Sequence, residues 1–469
     1  MNRFPTLTLL ALMTVLPGMA ALADAPKTMR LDYFHTGSRT SEIFSLDRVV
    51  LEPLPWPGNP ARPVDTLLRG KYLFEVREPE SGRVLYSRSY SSVYAEWETT
   101  AEAREISRTF HESLRFPAPD RPVDVVVLKR NANQQFGEVW RAWVDPGDYL
   151  VHREVAPYTD AVIAIEHHGD PSHKVDVLFL GDGYTPDEHE DFVAKVRQAT
   201  DLLLATAPFS DRRDDFNVWA LAPPAAESGV SRPSSGIYRD TPLGLSYDAF
   251  RIERYMLTFD NAAFRRIAAS APYEFVVMLS NSETYGGGGI LGQYSTASAD
   301  NEWMEYLVVH EFAHHFAGLA DEYYTSAVAY EAPEQLVEPY EPNVTAMLDP
   351  AGLKWKHLLD DGTPLPTPWP KESYDENSLA YQARRAQLRA ESAPESEMNK
   401  LFRENERYTT ELFSRAEYRD RIGAFEGANY LSQGYYRSAL NCLMFTRSAD
   451  FCPVCSHALV EVIDQYVAR

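Results

Sequence analysis

Residues 303–324 read Trp303-Met304-Glu305-Tyr306-Leu307-Val308-Val309-His310-Glu311-Phe312-Ala313-His314-His315-Phe316-Ala317-Gly318-Leu319-Ala320-Asp321-Glu322-Tyr323-Tyr324. Leu307, Val308, Val309, Phe312, Ala313, Phe316 and Ala317 recur at helical spacing, and the apolar helix they predict carries His310, Glu311 and His314. Side chains four apart stack on one helix face, so the two imidazoles of this H-E-x-x-H pattern can converge on one zinc ion. Glu311 lies about 100° around the helix from His310 and is set to hold a water at the metal. Zinc lowers the pKa of water to about 7, so a carboxylate in that place can take its proton and leave a hydroxide nucleophile.

The competing reading is a buried helix with two core histidines. The residues just beyond the motif weigh against it. Gly318 can take a left-handed conformation and end the helix, and Leu319-Ala320-Asp321-Glu322 then brings two carboxylates back toward the histidines. A catalytic zinc requires such a third protein ligand and leaves its fourth position to water.

Outward from this stretch, the 469-residue chain is long enough for two or three domains. Its net charge of −23 opposes binding to phosphate backbones and anionic membranes, so nucleic acid is not expected as a partner. Residues 1–23 read as a secretory signal: Arg3 is the positive start, Leu7 to Leu16 are largely apolar, and Ala21-Leu22-Ala23 is an A-x-A cleavage site. The mature chain is expected to begin at Asp24, with no membrane anchor, in the periplasm or outside the cell.

Between about residue 28 and residue 150 the pattern is that of short strands. Tyr72–Val76 and Val84–Tyr86 flank Glu80-Ser81-Gly82 as a hairpin, and 123–128 pairs with 137–144 across Asn131-Ala132-Asn133. This predicts an N-terminal β-sandwich over 24–155, which reads equally as a substrate-binding module and as a spacer. Residues 157–173 read as a linker.

Beyond it, strand and helix alternate: 175–180, a helix capped by Thr185, then strands at 216–221 and 274–279. The expectation is a multidomain chain whose second part, 156–469, is α/β with a mixed sheet and the motif helix. The run Gly286-Gly287-Gly288-Gly289 suits either close approach of another backbone, as when an extended peptide pairs with an edge strand, or a flexible loop. A charged segment at about 374–420 reads as a solvated helical insertion. Cys442, Cys452 and Cys455 fall within 14 residues, which in an oxidising compartment predicts one disulfide and an odd thiol, the pairing left open. Cys452-Pro453-Val454-Cys455 could also be a redox pair or half a zinc site, although no second pair at structural-zinc spacing accompanies it.

The extended motif His310 to Tyr323, together with Phe425-Glu426-Gly427-Ala428, Gly434-Tyr435-Tyr436-Arg437 and Phe451-Cys452-Pro453-Val454-Cys455, resembles the bacterial IgA metallopeptidase family, secreted zinc peptidases of metzincin-like type. The resemblance spans essentially the whole mature chain. Metzincins place glycine seven residues after the first histidine and the third ligand at ten. Here Gly318 stands at eight and Asp321 at eleven, so the step of three is kept and Asp321 is the expected third ligand, ahead of Glu322 and His315. Glu322 would then orient a histidine N–H or close the turn. The resemblance further implies a methionine turn at Met444 and a tyrosine, Tyr436 or Tyr435, stabilising the oxyanion; where some metzincins carry tyrosine two residues after the methionine, this chain has Thr446.

The resulting expectation is a secreted zinc endopeptidase with one catalytic Zn2+ on His310, His314 and Asp321, with Glu311 and Tyr436 catalytic and a protein or peptide substrate. Two alternatives stand beside it: a glycan- or protein-binding protein with a structural zinc, and a zinc hydrolase of non-peptide substrates.

Overall fold

The computed structural model describes residues 25–467, so the expected signal segment 1–23 lies outside the described residues. The N-terminal region consists of two four-stranded sheets. One runs Arg108–Pro117, Lys27–Gly37, Glu42–Pro55, His152–Arg153, and the other Val84–Tyr90, Tyr72–Arg77, Val123–Arg130, Phe136–Val144. Met29, Leu31, Tyr33 and Phe116 from the first sheet meet Phe74, Val76, Val125 and Val127 from the second in one apolar core. Alternation of side chains across the pleat produces this arrangement. Both hairpins expected from the sequence are present as antiparallel pairs.

The outer face of the first sheet is charged yet buried. Arg30 reaches Asp32 at 2.8 Å and Glu52 at 3.0 Å, and Arg115 bonds Glu52 at 2.9 Å and the carbonyl of Tyr273 at 2.9 Å. Arg115 thereby links the two halves of the chain. Its guanidinium also lies 3.6 Å from the centre of the Tyr273 ring, a desolvated cation–π contact.

The second region is built on a six-stranded mixed sheet in the order Gly287–Ile290, Tyr294–Ser298, Phe275–Ser280, Val175–Asp182, Phe216–Leu221, Ile163–Glu166. The four inner strands are parallel and the two outer ones antiparallel. Val175–Asp182 is buried along its whole length, as an inner parallel strand covered on both faces must be. The expected linker is thus partly an edge strand: Ile163–Glu166 pairs with Val218–Ala220, a long-range partnership that four residues cannot announce locally.

The helix His189–Ala205 and the motif helix Met304–Ala317 pack on one side of this sheet. Two further helices, Lys371–Ala390 and Glu395–Ser414, form the charged insertion. It is less solvated than its composition suggests. Tyr374, Tyr381, Leu388, Phe402 and Phe413 form a buried stripe that joins the main core, while the charges occupy the opposite faces. The chain closes on a helix at Pro453–Tyr466.

The expected disulfide is not formed. Cys442, Cys452 and Cys455 are all buried free thiols, and the Sγ atoms of Cys442 and Cys455 stand 3.6 Å apart, against about 2.0 Å for a bond.

Candidate metal centre

The motif helix is apolar nearly all round and is correspondingly buried on several sides. Gly318 ends it at φ +62°, the left-handed conformation that costs glycine nothing, and its N–H returns to the His314 carbonyl. At the same end, Arg69 from the N-terminal region donates to the carbonyls of Ala317 at 3.2 Å and Ala458 at 2.8 Å. A cation at a helix C-terminus satisfies an unpaired carbonyl and complements the helix dipole.

The turn after Gly318 carries Asp321 back over the histidines. Asp321 Oδ1 lies 3.0 Å from His310 Nε2 and 3.2 Å from His314 Nε2, and the two Nε2 atoms are 3.2 Å apart. Each ring is held from behind: His310 Nδ1 donates to the Leu443 carbonyl at 3.2 Å and His314 Nδ1 to the Leu319 carbonyl at 2.6 Å. With the protons on Nδ1, both Nε2 lone pairs point inward, and Asp321 Oδ1 is itself a buried oxygen with no hydrogen-bond partner. Three acceptors facing one another suit a cation. Donors about 2.0–2.1 Å from a tetrahedral ion stand about 3.3 Å apart, close to the triangle observed.

The other oxygen of Asp321 is fixed by Tyr430, whose hydroxyl donates to Oδ2 at 2.5 Å. Tyr430 sits on the turn between the strands Phe425–Ala428 and Leu431–Arg437, where Asn429 and Tyr430 both take positive φ. The Asn429 N–H donates to the Asp321 carbonyl and the Tyr430 N–H to that of Tyr323, so the turn is pinned to the ligand loop by its backbone as well.

Glu311 is half-buried beside the triangle. Desolvation raises its carboxyl above the ordinary range, while His310 and His314 pull the other way. The glycine run makes its position possible. A Cβ on Gly287 would stand 3.0 Å from Glu311 Cγ, and one on Gly289 would stand 2.3 Å from the Glu311 carbonyl oxygen. The glycines therefore do serve a close backbone approach, but the approaching backbone is the motif helix. The outward groups of Gly287 are also engaged, its N–H by the Arg254 carbonyl and its carbonyl by the Met256 N–H.

Other expected residues fall elsewhere. His315 is a core histidine: its Nδ1 donates to the Ile290 carbonyl, its Nε2 accepts from the Val276 N–H, and burial lowers its pKa to about 3. Glu322 does not reach the histidines; it points away, accepting from Asn343 at 3.1 Å. Tyr436 is not brought to the triangle or to the cleft that contains it. It alternates with Tyr435 along one strand, and Tyr435 is the one that lines the cleft, with its hydroxyl donating to the Val337 carbonyl. Met444 is fully buried, and its carbonyl accepts from the Glu322 N–H at 2.9 Å.

The triangle opens into a cleft of about 810 Å3. Its walls include Tyr255, Tyr323 and Tyr330, together with Tyr381 and Arg385 from the insertion. Glu96 and Arg130 of the N-terminal region also line it, so that region forms part of the cleft wall rather than a detached spacer.

No curated protein is significantly similar to the chain. Two family models do match: IgA Peptidase M64 over residues 163–463, and Peptidase M64 N-terminus over residues 23–141. The two matches follow the division between the paired sheets and the mixed-sheet region. With the larger match covering well over half of its length, the chain belongs to the IgA peptidase M64 family.

Proposed function

We propose that the protein is a secreted zinc-dependent endopeptidase that hydrolyses peptide bonds in the cleft above His310, His314 and Asp321. The observation that carries this reading is the triangle of inward-facing Nε2, Nε2 and Oδ1 atoms, each fixed from behind by a carbonyl or by Tyr430. Zinc bound there would lower the pKa of a water to about 7 and polarise the scissile carbonyl.

The chain's own residues supply the rest. The Glu311 carboxylate takes a proton from the attacking water and passes it to the nitrogen of the leaving amine. Gly287 and Gly289 keep the wall beside Glu311 free of side chains, and tyrosines line the cleft around the reacting groups. Tyr436 has no part in this scheme.

A purely structural zinc is disfavoured by the donor set. Closed sites have four protein ligands, whereas among the described residues no fourth His, Cys, Asp or Glu joins the three, and the group faces an open cleft. Secretion rests on residues 1–23; among the described residues no helix is long and apolar enough to cross a membrane.

Metal removal tests the reading. Treatment with a strong chelator should abolish cleavage of an unfolded protein, and zinc should restore it with the same new N-termini in the products. Undiminished cleavage by metal-free protein would rule the mechanism out.

A further inference from the structure

Behind the triangle, on the far side of the ligand loop, lies a second group of donors that the proposed catalysis does not use. Glu322, Cys442, Cys452 and Cys455 are all buried, and one ligand atom from each lies within 4.8 Å of the others. Cys455 Sγ is 3.6 Å from Cys442 Sγ and 3.5 Å from Glu322 Oε1. Around a tetrahedral zinc, with Zn–S about 2.3 Å and Zn–O about 2.0 Å, neighbouring sulfurs stand about 3.75 Å apart and sulfur and oxygen about 3.5 Å apart. These two spacings match that geometry.

The surroundings suit thiolates. Cys452 caps the 14-residue helix Pro453–Tyr466, and its Sγ accepts from the Cys455 N–H at 3.4 Å; Cys442 Sγ accepts from the Cys452 N–H at 3.3 Å. Backbone N–H groups at a helix start stabilise negative sulfur. Glu322 is fully buried, with Oε1 against Cys455 Sγ and Oε2 without a hydrogen-bond partner. The buried Arg437 guanidinium, held by the carbonyls of Glu426, Gly427 and Leu440, lies close enough for its charge to act on Glu322 and Cys442, and together with a divalent cation it offsets most of the negative charge.

We propose that Glu322, Cys442, Cys452 and Cys455 form a second, closed metal site that takes zinc in a structural role. Four protein ligands and complete burial leave no position for water or substrate. The site ties together three segments that converge on the triangle. Glu322 directly follows the ligand Asp321, Cys442 directly precedes Leu443, whose carbonyl orients His310, and Cys452 and Cys455 begin the closing helix. The expected total of two equivalents rests on the proposed zinc at His310, His314 and Asp321, whereas a thiolate-to-cobalt absorption and the protection of the thiols by metal do not.

Metal content, thiol count and cobalt spectra of the full chain decide it. The wild-type protein should hold about two equivalents of zinc, and His314→Ala about one. Cobalt-loaded His314→Ala should keep an intense thiolate-to-cobalt charge-transfer absorption, which a histidine–carboxylate site cannot give. Cys455→Ser should lose that absorption together with about one equivalent of metal. Wild-type protein with one equivalent of zinc overturns the proposal, whether its intact mass reveals a disulfide or its three thiols all react without releasing metal. The wild-type measurement alone is decisive even where a variant fails to fold.

Discussion

Asp321 has two oxygens with separate tasks, and Tyr430 is what keeps them separate. Oδ1 faces the histidines while Oδ2 accepts the Tyr430 hydroxyl at 2.5 Å. Burial and the charge of Asp321 push the phenol above its ordinary pKa, which favours the donor form. Tyr430→Phe should leave the fold intact and weaken metal binding by about 10- to 100-fold, measured by competition with a chromogenic chelator. Unchanged affinity would remove Tyr430 from the site. His310, Glu311 and His314 were legible because a four-residue period is a local signal, and Asp321 because Gly318 marks a turn at a fixed distance. Tyr430 was not, since it arrives from 109 residues away on a hairpin tip. Tyr436 misled for a related reason: alternation along one strand turns it away and presents Tyr435 to the cleft, and only the strand's register reveals which.

At the scale of elements, the decisive contact is between the strand Gly287–Ile290 and the motif helix. Gly289 lies so close to the helix that an added Cβ would meet the Glu311 carbonyl at 2.3 Å and His314 Cβ at 2.8 Å. Both neighbours belong to the rigid helix, so neither can yield cheaply. Gly289→Ala should destabilise the protein by about 1–3 kcal/mol and lower peptide cleavage more than Tm alone explains, because the helix that carries both histidines must shift. Wild-type Tm together with wild-type activity would contradict that. The glycine run announced a close approach, yet the sequence could not say whose backbone approaches, since a substrate strand and a helix make the same demand. The helices of the insertion show a similar ambiguity. Their charged residues dominate the composition, whereas Tyr374, Tyr381, Phe402 and Phe413, spread thinly through two helices, decide where they pack.

On the scale of the whole molecule, the cleft is assembled from three parts of the chain. The mixed-sheet region supplies the motif helix, the insertion supplies Tyr381 and Arg385, and the N-terminal region supplies Glu96 and Arg130. Arg69 then clamps the N-terminal region onto the end of the motif helix. The two-part organisation was legible in the change from alternating to βα patterning near residue 175. The docking of the parts was not, because it runs through contacts between distant segments, such as those of Arg69 with the Ala317 and Ala458 carbonyls and with Glu461, and of Arg115 with the Tyr273 carbonyl, which leave no trace in composition.

The proposed chemistry converges on Glu311, which is not among the three residues, His310, His314 and Asp321, that could hold a metal ion. Zinc content and cleavage of an unfolded protein, measured on the same preparations of wild type and Glu311→Ala, test this most directly. Equal zinc in both, with cleavage reduced at least about 100-fold in the variant, is the expected result. Near-wild-type cleavage by a zinc-replete Glu311→Ala protein would contradict it.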